Sequence, residues 1–156
     1  MRRSDREVTD AAAVEQFIAE QQILRVGFCD NGEVYIVPVN YGYTCDNGKY
    51  TFYFHGAKAG RKYTLAKASP TVGFELDGAY APLPAEKACN WSATFQSVIG
   101  TGTLTVAEDK AEKIEGLNHI MAQASGRSDW SYSEKMLDAV AVFCLRADKL
   151  TCKAKK

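Results

Sequence analysis

The residues most suited to chemistry lie in one short segment, residues 53–62, with the sequence Tyr-Phe-His-Gly-Ala-Lys-Ala-Gly-Arg-Lys. A strand of aromatic residues is predicted to end at His55, and a glycine-containing loop with Lys58 leads into a helix. Backbone N–H groups at a helix start favour an anion, and glycine lets the backbone approach a ligand closely. Arg61 can bind two phosphate oxygens, while Lys58 and Lys62 add point charges. The segment therefore predicts a phosphate-binding loop, with a solvated basic turn as the alternative.

The overall composition limits what this loop can bind. The chain has 156 residues, and its 19 Lys and Arg balance 19 Asp and Glu, so the formal net charge is zero. This length suits a single domain, which we expect to span residues 1–156. A neutral chain has no bulk attraction for nucleic acid or an anionic membrane, so the basic loop points to a small anion.

Two further features predict a cytoplasmic protein with no membrane span and no metal site. The sequence contains no apolar run long enough for a transmembrane helix, and no apolar signal segment follows its charged first residues. The cysteines are odd in number and widely spaced and form no CxxC pair, which favours free thiols in a reducing compartment. They are Cys29, Cys45, Cys89, Cys144 and Cys152.

The elements that would position the basic loop begin with a helix capped by Thr9 or Asp10. Three strands are predicted to follow, joined by tight turns that each contain an Asn-Gly pair. The strands cover residues 23–30, 34–44 and 49–55, and the turns are Asn31-Gly32 and Asn47-Gly48.

The middle strand, residues 34–44, is apolar on both faces, with Val34 and Ile36 on one of them. Such a strand usually lies between a barrel interior and a helix or partner chain. Pro38 inside it has no N–H group. We therefore expect the strand to lie at a sheet edge, to carry a bulge, or to adjoin something other than a strand.

The remaining chain is predicted to contain three more strands and three further helices, of which the last is short and has Ser133 as its candidate cap. A helix covers residues 60–68, a half-buried strand follows near residues 72–76, and the β-rich stretch 89–106 contains Gly100 and Gly102, which suit a sharply bent strand. In the next helix a buried stripe is expected to leave His119 at the surface. That stripe is Ile114, Leu117, Met121 and Ala124, and a last strand is predicted over residues 139–145.

About six strands with tight turns and interrupting helices favour an α+β, mainly β fold built on a small closed barrel. The chain also has more large apolar side chains than a few modest helices could cover, which predicts an interface with another copy. These side chains are Tyr35, Val37, Tyr41, Trp91 and Phe95.

The order and spacing of several segments resemble the FMN-binding split-barrel proteins related to pyridoxamine 5′-phosphate oxidase, and within them the nitroimidazole-resistance branch. The resemblance covers residues 23–106 well and the two ends only in layout. It implies a six-stranded split β-barrel with flanking helices that forms a homodimer, with two FMN molecules at the interface. The segments are Val37-Pro38-Val39-Asn40, residues 53–62, Val72-Gly73-Phe74 and residues 95–102.

The resemblance also implies roles for individual residues. Arg61 and Lys62 match a pair that holds the FMN phosphate, with Lys58 placed to assist. His55 and Gly56 match the end of the strand that flanks the flavin. Residues 35–40 match the strand whose backbone runs past the isoalloxazine ring, and the contacts implied there are Val37, Pro38, Val39 and Asn40. Ser97 matches a polar site on the long strand that contacts FMN.

The function implied is an FMN-dependent oxidoreductase that passes electrons from NADH or NADPH to a small acceptor. His55 is the one side chain in the site with an ordinary pKa near neutrality, so it is the candidate for acid–base catalysis, with a hydrogen bond to ligand or loop as its alternative role. The chain lacks the oxidase branch's C-terminal arginine and histidine. It also has Gln96 where the nitroimidazole branch commonly has arginine.

Two other functions remain open from the sequence. One is a flavin-binding stress or sensor protein without defined turnover. The other is haem binding in the same barrel, which ranks lower because the C-terminal region has no histidine and His119 would be the remaining axial ligand.

Overall fold

The structure, a computed structural model, describes residues 3–68 and 71–155. These residues form four α-helices and eight β-strands, besides short 3-10 turns at Ser4–Arg6 and Ala88–Asn90. The helices are α1 Ala11–Glu20, α2 Arg61–Ala68, α3 Lys110–Ser125 and α4 Glu134–Ala139. The strands are β1 Glu7–Val8, β2 Leu24–Asp30, β3 Glu33–Val39, β4 Gly42–Asp46, β5 Lys49–Ala57, β6 Thr71–Leu83, β7 Ser92–Val106 and β8 Val140–Lys155.

The strands form one antiparallel sheet in the order β3-β2-β6-β7-β8-β5-β4, with β1 added beside β8. The predicted α+β, mainly β split barrel is confirmed. The sheet has eight strands where six were expected, because β1 is an extra two-residue strand and the predicted strand 34–44 is two strands. Within the described residues β3 and β4 do not pair, so the barrel is open and not closed.

The open barrel follows from the short connection between its two edge strands. Only Asn40 and Tyr41 lie between β3 and β4, which are at opposite ends of the sheet order. Three consecutive Cα steps of about 3.8 Å each cannot reach across a flat sheet of this width. The sheet must therefore curl until its two edges meet at this connection.

The prediction of one continuous strand over residues 34–44 was wrong because Tyr41 turns into the core. Tyr41 is buried, and its hydroxyl donates a hydrogen bond to the carbonyl of Ile18 in α1. The next residue, Gly42, lies so close to α3 that a Cβ there would overlap the backbone carbonyl of His119. The side chain at 41 and the helix beyond 42 thus fix the point at which the chain changes edge.

Both predicted Asn-Gly turns are confirmed. Asn31 and Gly32 have φ angles of 51° and 89°, and Asn47 and Gly48 have φ angles of 51° and 77°. Two successive positive φ angles are what a two-residue turn of type I′ requires. Of the three placements left open for the Pro38 strand, the structure shows the sheet edge, since β3 ends the sheet order.

The core lies between the curled sheet and α1, which Asp10 caps by accepting a hydrogen bond from the N–H of Ala13. Its largest fully buried side chains include five aromatic residues, Phe28, Tyr41, Phe52, Phe54 and Phe143. Five large apolar side chains were expected at an interface with another copy, and one of them, Tyr41, is instead buried inside the protomer. Trp91 is 56% exposed, and the others are half-buried.

Helix α3 packs through a different face from the predicted one. Its buried residues are Lys113, Gly116 and Ile120, while Ile114 is exposed. A Cβ at Gly116 would press on Val142 and Tyr53, so this glycine lets the helix approach the sheet closely. His119 is half-buried and stacks on Tyr53, with ring centroids 5.0 Å apart, so its predicted surface position was wrong. No helix in the described part of the chain is long and apolar enough to span a membrane.

Candidate functional site

The structure gathers predicted site residues around one open pocket at the rim of the barrel. The pocket has a volume of about 350 Å³, which falls within the range of small-molecule sites. Its lining residues, all of which except Ile23 are predicted from the sequence, are Ile23, Pro38, Val39, Asn40, His55 and Lys62.

Three elements bring these side chains together. Strand β3 ends at Val39, β5 contributes His55 near its end, and Lys62 is the second residue of α2. These segments are adjacent because the connection between β3 and β4 draws the sheet edges together. Asn40 is fixed at this point by its side-chain amide, which donates to the carbonyl of Gln22 at 3.3 Å.

Lys62 provides the positive charge of the pocket. Its Nζ donates a hydrogen bond to the carbonyl of His55 at 3.3 Å and lies 5.6 and 5.2 Å from the ring centroids of Phe54 and Phe143. Burial lowers the pKa of Lys62 from its ordinary value. A Cβ at Gly56 would come within 2.9 Å of this Nζ, so Gly56 leaves room for the lysine to fold over the strand.

His55 faces the pocket with an exposed side chain. Its pKa is lowered, first because neighbouring groups partly remove water from the ring and second because the Lys62 ammonium lies near it. Both effects disfavour the charged imidazolium. At neutral pH the ring is therefore mostly uncharged and able to accept a proton or a hydrogen bond.

Arg61 lies at the start of α2 but is bound to carboxylates. Its Nε donates to Asp30 Oδ2 at 2.8 Å and its Nη2 donates to Glu33 Oε2 at 2.8 Å, while the guanidinium lies 4.7 Å from the ring centroid of Tyr35. Arg61 thus ties α2 to the β2–β3 hairpin. Exposed ion pairs of this kind contribute little to stability, so a phosphate could compete for the guanidinium.

The other predicted contacts are distributed around the pocket or away from it. Val37 is half-buried in β3, opposite Val26. Lys58 lines a different cavity, beside Lys113 of α3. Ser97 in β7 lies opposite Asp77 and does not line the pocket. The structure therefore brings together Pro38, Val39, Asn40, His55 and Lys62, with Gly56 beneath them, and not the whole predicted set.

Sequence reasoning missed Ile23 altogether, and it placed Tyr35 on the strand beside the flavin without its contact with Arg61. Ile23 lies just before β2, is 38% exposed and lines the pocket, while Tyr35 supports the Arg61 guanidinium. A large apolar side chain at the start of a strand carries no functional signal in a single sequence. The contact of Tyr35 with Arg61 depends on how the hairpin meets α2.

Fold and pocket together define a split-barrel protein with a basic pocket at the rim of the open barrel. A family model described as pyridoxamine 5′-phosphate oxidase matches residues 10–154. The chain therefore belongs to the pyridoxamine 5′-phosphate oxidase family, whose split-barrel members bind flavins. No curated protein gives a significant sequence match to the chain.

Solved structures share this fold over nearly the whole chain. A proposed 5-nitroimidazole antibiotic resistance protein from Bacteroides thetaiotaomicron is 26% identical, with a TM-score of 0.81 over 96% of this chain and 90% of that one. A flavocytochrome from Azotobacter vinelandii is 21% identical, with a TM-score of 0.82 over 100% of this chain and 72% of that one. An FAD and heme binding protein from Mycobacterium smegmatis is 17% identical, with a TM-score of 0.86 over 97% of this chain and 74% of that one.

The influence of Lys62 on His55 gives a prediction that needs no ligand. Replacing Lys62 with Met removes a positive charge, so the pKa of His55 should rise toward its ordinary value of about 6.5 while partial burial still holds it below that value. NMR titration of the His55 ring protons in the flavin-free protein measures this. Lys49→Met, at the other end of β5, is the control and should leave the His55 titration unchanged; a fall in the pKa of His55 on Lys62→Met would contradict the assignment.

Proposed function

We propose that the protein is an FMN-dependent oxidoreductase that takes electrons from NADH or NADPH and reduces a small acceptor. The observation that carries this proposal is the meeting of Lys62, His55 and the free edge of β3 at one pocket. A cation, a neutral imidazole and an unpaired strand edge are complementary to the phosphate and the polar ring edge of a flavin.

The residues of the pocket divide the binding of FMN between them. Lys62 would hold the phosphate, with Arg61 joining it by leaving its carboxylates. The outer edge of β3 has no strand partner among the described residues, so backbone groups around Pro38 and Val39 are available to the isoalloxazine ring. Asn40 would fix the end of that edge through its bond to Gln22.

When bound, FMN supplies the hydride and electron transfer, and the protein supplies position and electrostatics. Among the pocket side chains His55 is the one suited to exchange a proton near neutral pH. We propose that His55 donates the proton that accompanies reduction of the acceptor. The haem alternative is weakened because His119, a residue of α3, stacks on Tyr53 of β5 and does not line this pocket.

A homodimer with FMN at its interface is part of the proposal. The outer face of β3 and its neighbours exposes Val34, Ile36 and Ile99, at 75%, 60% and 57%. Gly27 and Gly73 lie in the same cross-strand row as Ile36, which keeps this surface flat. The ion-paired Arg25 and Glu75 lie between Pro38 and Ile99 on the same face, so the surface is apolar at β3 and polar at β2 and β6. Exposed apolar side chains on a flat surface usually mark an interface, and the FMN pocket opens beside them.

Ser97 is consistent with such a shared site. Residues two apart on a strand share a face, so Ser97 lies on the outer face with Ile99, and it does not line the pocket of its own protomer. In a dimer it would contact the flavin of the partner subunit.

The five cysteines are free, which agrees with the cytoplasmic location that we propose.

The dimer is tested by light scattering at micromolar concentration. We expect a mass twice the 17.1 kDa of one chain. Ile36→Glu places a charge in the proposed apolar interface and should give a monomer, whereas Met136→Glu, at an exposed apolar residue of α4, should leave the dimer intact. A wild-type protein that is strictly monomeric would remove this part of the proposal.

Phosphate recognition is tested by comparing FMN with riboflavin, which lacks the phosphate. Lys62→Met should weaken FMN binding about tenfold to hundredfold, the usual effect of losing a charged hydrogen bond, and should change riboflavin binding little. Fluorescence titration of the flavin measures both, with Lys49→Met as the control.

Arg61→Ala in the same titration decides whether Arg61 leaves its carboxylates for the phosphate. A loss confined to FMN, of about tenfold or more, is the expected result. An equal loss of FMN and riboflavin would show that Arg61 acts by holding α2 against the β2–β3 hairpin.

Proton transfer is tested with His55→Asn in FMN-saturated protein by stopped-flow reoxidation of the reduced form. The acceptor step should slow by about a hundredfold or more. In the wild type this step should accelerate as the pH falls through the lowered pKa of His55, because the protonated ring is the donor, and the variant should lack that acceleration. If the variant instead only binds FMN more weakly and keeps the rate when loaded, His55 positions the ligand and transfers no proton.

A further inference from the structure

A second cavity lies on the other side of α2, where Tyr63, Ala66 and Lys67 of that helix face β7, β8 and α3. Its volume is about 550 Å³, larger than the pocket that contains Lys62. Lys58, Lys67 and Lys113 contribute three positive charges to its lining, and Glu108 contributes one negative charge. The two cavities share no lining residue, so the proposed flavin site does not account for this one.

Lys113 is an unusual residue for such a position. It is only 6% exposed, and its Nζ donates to the carbonyl of Leu137 at 2.7 Å. Among the described residues, this ammonium forms no ion pair with a carboxylate, and the Leu137 carbonyl is the one protein acceptor that it contacts. A buried lysine normally has a counter-charge, because burial without one is costly.

Lys58 increases this excess of positive charge. The pKa of Lys113 is lowered, first by burial and then by the Lys58 ammonium beside it, with Asp138 acting weakly in the opposite direction. Two ammonium groups facing one cavity repel each other unless an anion lies between them. A bound anion would therefore relieve both the burial of Lys113 and its repulsion from Lys58.

The shape and charge of the cavity select the kind of anion. A phosphate monoester carries a charge of about −1.5 to −2 near neutral pH, which matches two adjacent ammonium groups better than a monocarboxylate does. The remaining walls are largely apolar and leave space for an organic body next to the charges. They include Ala66, Leu104, Val106 and Ala141.

We propose that this cavity binds a small phosphate monoester with an apolar or aromatic body, whose phosphate is held between Lys58 and Lys113. The site is separate from the proposed flavin pocket, and its occupancy does not depend on flavin chemistry. Lys67, at the cavity mouth, adds attraction for the incoming anion.

The test uses phenyl phosphate as the probe and calorimetric titration of the FMN-saturated full chain. We expect one site per chain, weaker binding of inorganic phosphate, which lacks the apolar body, and no binding of phenol, which lacks the charge. Lys58→Gln should weaken phenyl phosphate about tenfold or more, since it removes one of the two cations that hold the phosphate. Lys49→Gln removes the same charge elsewhere on the surface and should leave binding unchanged.

Lys113→Met keeps the length of the buried side chain and should abolish binding. Lys113→Met alters the interior of the protein and could prevent folding. In that case the Lys58→Gln variant, at an exposed residue, decides the test. The proposal is overturned if phenyl phosphate fails to bind FMN-saturated protein at millimolar concentration, or if it binds Lys58→Gln and wild type equally. Binding that occurs only without FMN and is displaced by FMN would also overturn it, since the probe would then be using the flavin pocket.

Discussion

The short connection between β3 and β4 is the constraint on which the architecture of the site depends. Asn40 and Tyr41 alone join two strands that stand at opposite ends of the sheet order. The sheet has to curl to satisfy this connection, and Tyr41 fixes its position through burial and a hydrogen bond to α1. The end of β3 therefore meets the end of β5 and the start of α2, which creates the rim pocket. Without this connection Pro38 would lie far across a flat sheet from His55 and from Lys62, which follows β5 in α2.

The second organising feature is the distribution of cations around α2. Lys58, Arg61 and Lys62 are nearly consecutive, yet each has different neighbours: a buried lysine, two carboxylates, and aromatic rings with His55. Helix α2 separates Arg61 from Lys62 by about 100° of rotation, and Lys58 lies in the loop before the helix, so the three side chains point into different surroundings. The basic segment that looks like one anion-binding loop in sequence thus serves two cavities and one ion-paired hairpin contact.

Several features of the fold could be predicted because their causes are local. The two Asn-Gly turns follow from the positive φ angles that a type I′ hairpin needs, and Asp10 caps α1 because its carboxylate reaches a free N–H three residues on. Pro38, which has no N–H to donate, limited its strand to an edge, a bulge or a neighbour that is not a strand, and the structure shows the edge. The split barrel and its family followed from the order of the segments. Of the site, the predicted group around Pro38, His55 and Lys62 was recoverable because each member lies within or next to a recognisable segment.

The sequence by itself therefore determined the two Asn-Gly turns, the presence of most strands and the family, all of which depend on neighbours along the chain. Tertiary structure alone decided where the strand through residues 34–44 breaks, which face of α3 is buried, and which partner each cation receives. Those outcomes depend on contacts between distant residues: Tyr41 with α1, Gly116 with Val142, and Lys58 with Lys113. Periodicity predicted an apolar stripe on α3, but a close approach at Gly116 rotated the helix so that a lysine became buried instead. Close packing of whole elements selects one rotation and one register, and no local pattern contains that choice.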